Sequence, residues 1–452
     1  MENKKRDSFT GKLGFVLAAA GSAVGLGNIW RFPYLAAKYG GGIFLLVYLL
    51  LVLTFGFALM VGEIALGRKT GLSAIGAFKK LNSKYAFIGY IAALVPVIIL
   101  PYYSVIGGWV LKYLSVFVSG FGGAAAGDSF FGGFITSAME PVSWFFVFMT
   151  ITAVIVIFGV KNGIETVSKI MMPVLVALSV VIACYSMTIP GALDGVLYYI
   201  LPDFSKFSIS TVLGAMGQMF YSMSLAMGIM ITYGSYMKKD VSLEGSVKQI
   251  ELFDTGIAFL AGLMIIPATY AFSGGDPAAL GKGPSLMFVA LPKIFDVMWM
   301  GHIIGAVFFI LVLLAALTSS ISLMETVVSI LCDKMKINRI VSCIIVYLFS
   351  LGLGLVSCFG YSIWSGVTVI GMQFLDFFDF ASNSVIMPIV ALLTCIFIGY
   401  VIKPKSLIEE IELTGKFKRE KLFTIVIKYV APVLVIAILL TSVLEAFGYI
   451  KI

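Results

Sequence analysis

The sequence predicts an all-α polytopic membrane protein of eleven transmembrane helices, on three observations. Of the 452 residues, 60% are hydrophobic and 12% charged, and the mean hydropathy is +1.06, far more apolar than a water-soluble domain of this length. Apolar runs long enough for a helix to cross ~30 Å of hydrocarbon recur along the whole chain. The runs are continuous and lack the alternation over about ten residues that a membrane-spanning β-strand needs.

The first span, 11–37, follows Lys4, Lys5, Arg6 and Lys12. It carries Asn28 and Arg31 and has no small-residue cleavage site after a short apolar core, so it reads as a retained helix. The second, 42–67, is closed by Arg68, Lys69, Lys79, Lys80 and Lys84. The third and fourth, 86–118 and 142–159, are joined by 119–140, which holds no basic residue. The fifth, 166–188, follows Lys161, and the sixth and seventh, 209–236 and 250–272, flank Lys238 and Lys239. The eighth and ninth, 302–332 and 340–358, flank Lys334, Lys336 and Arg339; the tenth and eleventh, 373–402 and 422–447, flank the cluster from Lys403 to Lys421. Basic residues thus gather in the loops that one face of a membrane would own. That puts a cytoplasmic tail, 1–10, inside the cell and the carboxyl terminus outside, in the plasma membrane. It also accounts for the net charge of +8 by lipid rather than nucleic acid.

Cys184, Cys332, Cys343, Cys358 and Cys395 are scattered without paired spacing, and His302 is the single histidine. Neither a disulfide framework nor a metalloenzyme centre is expected, and the chain does not read as an enzyme.

The most informative stretch is Gly21-Ser22-Ala23-Val24-Gly25-Leu26-Gly27-Asn28. Each glycine weakens a helix by about 1 kcal/mol relative to alanine, so three within seven residues favour an unwound segment, which lipid tolerates only around a polar cavity. Gly21 and Gly25 also have the spacing of a close helix-packing motif, and taken alone that reading is as good. A second interruption, Ser222-Met223-Ser224-Leu225-Ala226-Met227-Gly228, falls in the sixth span, five helices on. Equivalent positions follow if 11–190 and 209–402 are inverted five-helix repeats, with 422–447 an added eleventh helix. Such broken helices offer N–H groups to a carboxylate and carbonyls to a cation, which suits an amino-acid zwitterion with sodium. Thr318-Ser319-Ser320 adds hydroxyl oxygens in the eighth span, and carbonyls freed at Gly21 and Val24 complete an oxygen-rich set. Charges inside spans need partners. Arg31 and Asp379 are placed to pair across a cavity mouth, and Asp254 needs a cation or a proton.

The segment AAAGSAVGLGNIWRFPY at 18–34 closely resembles the first helix of the neurotransmitter sodium symporters. The resemblance continues through Gly41-Gly42, Gly62-Glu63, Tyr102-Tyr103, Trp109, the broken sixth span and Thr318-Ser319-Ser320, and covers about residues 6 to 447. Eleven helices resemble the bacterial branch that includes tyrosine and hydrophobic amino-acid transporters. The resemblance implies two sodium ions, one held by the Ala23 carbonyl, Asn28, Ser222, Asp254 and the substrate carboxylate, the other by Gly21, Val24, Ala315, Thr318 and Ser319. It puts the substrate carboxylate on the backbone near Leu26 and Gly27 with the Tyr103 hydroxyl, and the ammonium against Ala23, Tyr221, Ser222 and Ser224. Ile99, Tyr103, Tyr221, Met227, Ser320 and Leu323 would line a largely apolar side-chain pocket, favouring hydrophobic or aromatic amino acids. Gates would be Arg31 with Asp379 outside and Arg6 with Asp333 inside, with Tyr221 as a cap. Phe9 stands where the family usually has tryptophan, and Ala226 where it often has glycine. Animal members use chloride through residues matching Tyr48, Gln218 and Ser222; here Asp254 stands at an otherwise neutral ligand position, so a fixed carboxylate is expected to replace the anion. Gly163 and Pro173 resemble an unwinding motif, with a simple kink the equal alternative.

The expected activity is sodium-coupled symport of a small amino acid by alternating access. A channel would need a continuous polar stripe, and short loops argue against a scaffold. An amino-acid sensor without turnover remains the alternative, and the sequence carries nothing on oligomeric state.

Overall fold

The computed structural model describes residues 8–274 and 285–447. Among them no strand forms, and nine long helices together with two broken ones occupy the eleven expected spans. Helix 1 is broken: Lys12–Ala23 and Gly27–Lys38 meet at 55° across three residues. Helices 2 to 5 are Gly42–Thr70, Ser83–Val118, Glu140–Ile157 and Val160–Met187. Helix 6 is broken into Ile209–Ser222 and Ile229–Ser235, each half too short to cross a bilayer alone. Helices 7 to 11 are Leu243–Phe272, Gly301–Met335, Arg339–Gly360, Phe374–Val401 and Glu420–Ala446.

Several spans carry π-helical stretches that the sequence did not announce, among them Gly27–Arg31, Val52–Gly56, Val160–Glu165 and Phe380–Ile386. Each releases backbone groups from the regular ladder, and such bulges gather where a helix must bend or serve a site.

Helix 1 and the two halves of helix 6 are held at the centre. Helix 2 approaches the second half of helix 6 so closely that a Cβ on Gly67 would lie 1.8 Å from the Ile231 carbonyl oxygen, and one on Gly234 would lie 2.3 Å from that of Ile64. Only glycine permits this contact from either side. Helices 3 and 8, the longest, pack against each other and against helix 4. Apolar residues on helices 4, 5, 9 and 11 remain exposed, including Phe146, Ile170, Leu348 and Val433, as lipid-facing surface requires.

At the Lys12 end, Phe9 is buried edge-on against the rings of Phe15, Tyr233 and Tyr236. Buried Glu165 accepts from the Thr10 backbone N–H at 2.9 Å and also holds the Thr10 hydroxyl and Lys169. The carboxylate thereby faces the positive N-terminus of helix 1. Buried Arg68 bonds Glu410 at 2.8 Å and the Val241 carbonyl at 2.8 Å, tying helix 2 to the 6–7 loop and to the short helix Pro404–Ile411.

Candidate functional site

The chain between the halves of helix 6 turns through left-handed conformations at Ser224 (φ 51°), Ala226 (φ 59°) and Gly228 (φ 71°). That conformation costs a non-glycine residue roughly 1–2 kcal/mol, so surrounding bonds must hold it. The Ala226 N–H donates to Glu63 at 2.8 Å, which explains the buried carboxylate of the Gly62-Glu63 pair. Ser224 donates to the Ser22 carbonyl at 2.9 Å, and Gln218 donates to the Gly27 carbonyl at 2.9 Å. Breaks five helices apart in the chain therefore face each other and satisfy each other's freed backbone.

Between them lies a small cavity lined by Ala23, Leu26, Gly27, Ile99, Tyr103, Tyr221, Ser222, Ser224, Met227 and Leu323, joined by Ser22, Gly25, Asn28, Ile229 and Ser319. The Leu26 N–H donates to the Tyr103 hydroxyl at 3.3 Å, which brings together two of the groups expected at a carboxylate. Ser320 departs from expectation. It does not line the cavity, because its hydroxyl turns back to the Leu317 carbonyl at 3.0 Å and to Thr152 of helix 4 at 2.8 Å. Thr152 carried no signal in the sequence, where an isolated threonine reads as bonded to its own helix.

The two oxygen-rich groups also assemble. Asn28 donates to the Asp254 carboxylate at 2.7 Å and to Ser222 at 3.0 Å; Ser222 donates to Asp254 at 2.8 Å, and the Tyr48 hydroxyl approaches the second Asp254 oxygen at 3.4 Å. Across the break, Ser319 donates to the Val24 carbonyl at 3.3 Å and Thr318 to the Ala315 carbonyl at 3.1 Å; Thr318 also packs beside Gly21. Carboxylate, carbonyl and hydroxyl oxygens of this kind suit a hard cation.

The expected gates fare unevenly. Arg31 and Asp379 form no direct ion pair: the Arg31 guanidinium lies over the Tyr221 ring, 5.2 Å from its centroid, while Asp379 accepts from Tyr102 at 3.1 Å and from Asn383 at 2.7 Å. Arg31, Tyr221 and Asn383 line a second small cavity, which shares Tyr221 with the first. Asp333 accepts from the Ser73 N–H at 2.8 Å; Arg6 lies outside the described residues.

Two broken helices meeting around a polar cleft inside an all-helical bundle define a secondary transporter. The Sodium:neurotransmitter symporter family model matches residues 6–121 and 136–450, and the chain belongs to that family, whose members are transporters rather than enzymes. The chain is 34% identical to the uncharacterized sodium-dependent transporter YhdH of Bacillus subtilis, over 98% of this chain and 99% of that protein. It is 24% identical to the sodium- and chloride-dependent GABA transporter 2 of Rattus norvegicus, over 98% of this chain and 80% of that one. The crystal structure of MhsT in complex with L-phenylalanine matches with a TM-score of 0.87 at 37% identity, covering 97% of this chain and all of that one.

Proposed function

We propose that this sodium-dependent transporter carries a hydrophobic or aromatic L-amino acid into the cell together with two sodium ions, by alternating access. The observation that carries the reading is the Asp254–Asn28–Ser222 cluster set directly beside the cavity between the broken helices. One sodium is assigned to the Ala23 carbonyl, Asn28, Ser222, Asp254 and the substrate carboxylate. The other is assigned to Gly21, Val24, Ala315, Thr318 and Ser319. In this reading Leu26, Gly27 and Tyr103 hold the substrate carboxylate, while Ala23, Tyr221, Ser222 and Ser224 face its ammonium. The apolar residues Ile99, Met227 and Leu323 at the cavity support a hydrophobic substrate, as does the L-phenylalanine bound to MhsT.

Asp254 supplies the negative charge that chloride supplies in animal members, so transport is chloride-independent. The outer gate closes Arg31 and Tyr221 over the cavity, with Asp379 alongside; the inner gate opens at Phe9, Arg6 and Asp333. The amino terminus is cytoplasmic and the carboxyl terminus extracellular, in keeping with the basic loops.

The test is uptake of radiolabelled amino acids into proteoliposomes with sodium or choline outside, run as a competition panel of all twenty. Sodium-driven uptake of phenylalanine-like substrates is the expected result. Saturable binding without flux would replace the transporter by a sensor.

A further inference from the structure

Ser320 lies on the stripe of helix 8 that faces the cavity, beside Ser319 and one turn before Leu323, both of which line it. Its hydroxyl is nevertheless committed elsewhere. It donates to the Leu317 carbonyl at 3.0 Å and lies 2.8 Å from the Thr152 hydroxyl, and both residues are wholly buried. A serine hydroxyl has one proton. The Thr152 hydroxyl also reaches the Phe148 carbonyl of its own helix at 3.1 Å, so the two hydroxyls share two protons among these carbonyls and each other, and the bond between them holds Ser320 in the turned-away position whichever of the two donates. The other serine hydroxyls around the cavity are equally engaged: Ser224 donates to the Ser22 carbonyl, and Ser319 to those of Ser22 and Val24. The apolar side chains at the cavity are Ile99, Met227, Ile229 and Leu323, beside the rings of Tyr103 and Tyr221.

We infer that Thr152 determines substrate class by holding Ser320 out of the cavity, so that side chains without hydrogen-bonding groups are preferred and phenylalanine is favoured over tyrosine. Thr152 touches no substrate and is a positioning residue acting through Ser320. The inference rests on the amino-acid symport proposed above. An apolar pocket discriminates against an added hydroxyl by at most about 100-fold, whereas one polar partner in the right place removes that discrimination. Thr152→Val keeps the shape of the side chain and deletes the hydroxyl that holds Ser320, leaving Ser320 free to turn toward a substrate hydroxyl.

The experiment measures kcat/KM for sodium-driven uptake of L-phenylalanine and of L-tyrosine by the full chain in proteoliposomes. The variants are T152V, T152S, S320A and the double variant T152V/S320A. The phenylalanine-to-tyrosine ratio is expected to fall about tenfold in T152V, to stay near wild type in T152S, and to return to wild type in the double variant. An unchanged ratio in T152V, or a double variant no different from T152V, overturns the inference. S320A reads the same claim without touching helix 4: its ratio stays within about twofold of wild type, and a tenfold shift would put Ser320 in the native pocket and overturn it. Wild-type protein that takes up neither amino acid with sodium refutes the symport reading itself, a result separate from any change in the ratio.

Discussion

Replacing Asp254 by asparagine isolates one charge. One carboxylate oxygen accepts from Asn28 at 2.7 Å and from Ser222 at 2.8 Å, and the other faces the Tyr48 hydroxyl at 3.4 Å. Asparagine reproduces that shape: its carbonyl takes the first two bonds and its amide donates to the Tyr48 oxygen. What is lost is a full negative charge among groups that have no exposure to solvent. At an effective dielectric constant of ~20, two unit charges ~4 Å apart attract by about 4 kcal/mol, an upper bound once desolvation is counted. Half of that, about 2 kcal/mol, corresponds to ~30-fold in sodium affinity. The assay is phenylalanine uptake against external sodium, in chloride and in gluconate. In gluconate the variant should need ~30-fold more sodium, and chloride should restore part of the loss, since Tyr48 and Ser222 then face a neutral position. Wild type should be indifferent to the anion. Wild-type sodium dependence of the variant in gluconate would refute the role given to Asp254.

Three further changes probe the cleft and its supports. Gly25→Ala would put a methyl group 2.6 Å from the Ser319 hydroxyl and 3.0 Å from that of Tyr103, so substrate binding by scintillation proximity should fall by more than about 100-fold while the protein still folds; binding within a few-fold of wild type would contradict the site. Arg68→Met leaves the buried Glu410 with Lys239 alone, and loss of a buried pair costs roughly 3–5 kcal/mol, so the thermal midpoint in detergent should drop by several degrees. An unchanged midpoint would mean that the strap between helix 2 and Pro404–Ile411 does not stabilise the fold. Tyr102→Phe removes one of the two bonds to Asp379 and should speed release of bound substrate to the outside about tenfold. No change in release rate would exclude Asp379 from the closing contact.

Most of the fold was legible because membrane helices announce themselves by length and apolarity, and the two interruptions by glycine and serine at a depth where lipid would forbid them. Helix 6 was harder than helix 1, since its break rests on left-handed turns at Ser224 and Ala226 that residue type does not predict. Backbone-dependent features stayed hidden for the same reason, above all the π-helical stretches at Val52–Gly56 and Val160–Glu165. In the site, residues of the breaks themselves, such as Ala23, Gly27, Ser222 and Ser224, line the cavity. Which way a side chain turns was not legible: Ser320 points to Thr152, and Arg31 rests on Tyr221 instead of reaching Asp379. Nothing in a linear sequence couples Thr152 of helix 4 to Ser320 of helix 8, or Glu165 of helix 5 to Thr10 ahead of helix 1.

The central claim is coupling of amino-acid movement to sodium, and the most direct measurement is the steady-state accumulation of phenylalanine in proteoliposomes with a tenfold inward sodium gradient and the membrane potential clamped to zero. Each tenfold gradient contributes about 1.4 kcal/mol per ion, so two coupled ions predict an inside-to-outside ratio approaching ~100. A ratio that settles at one, whatever the sodium gradient, would contradict the account.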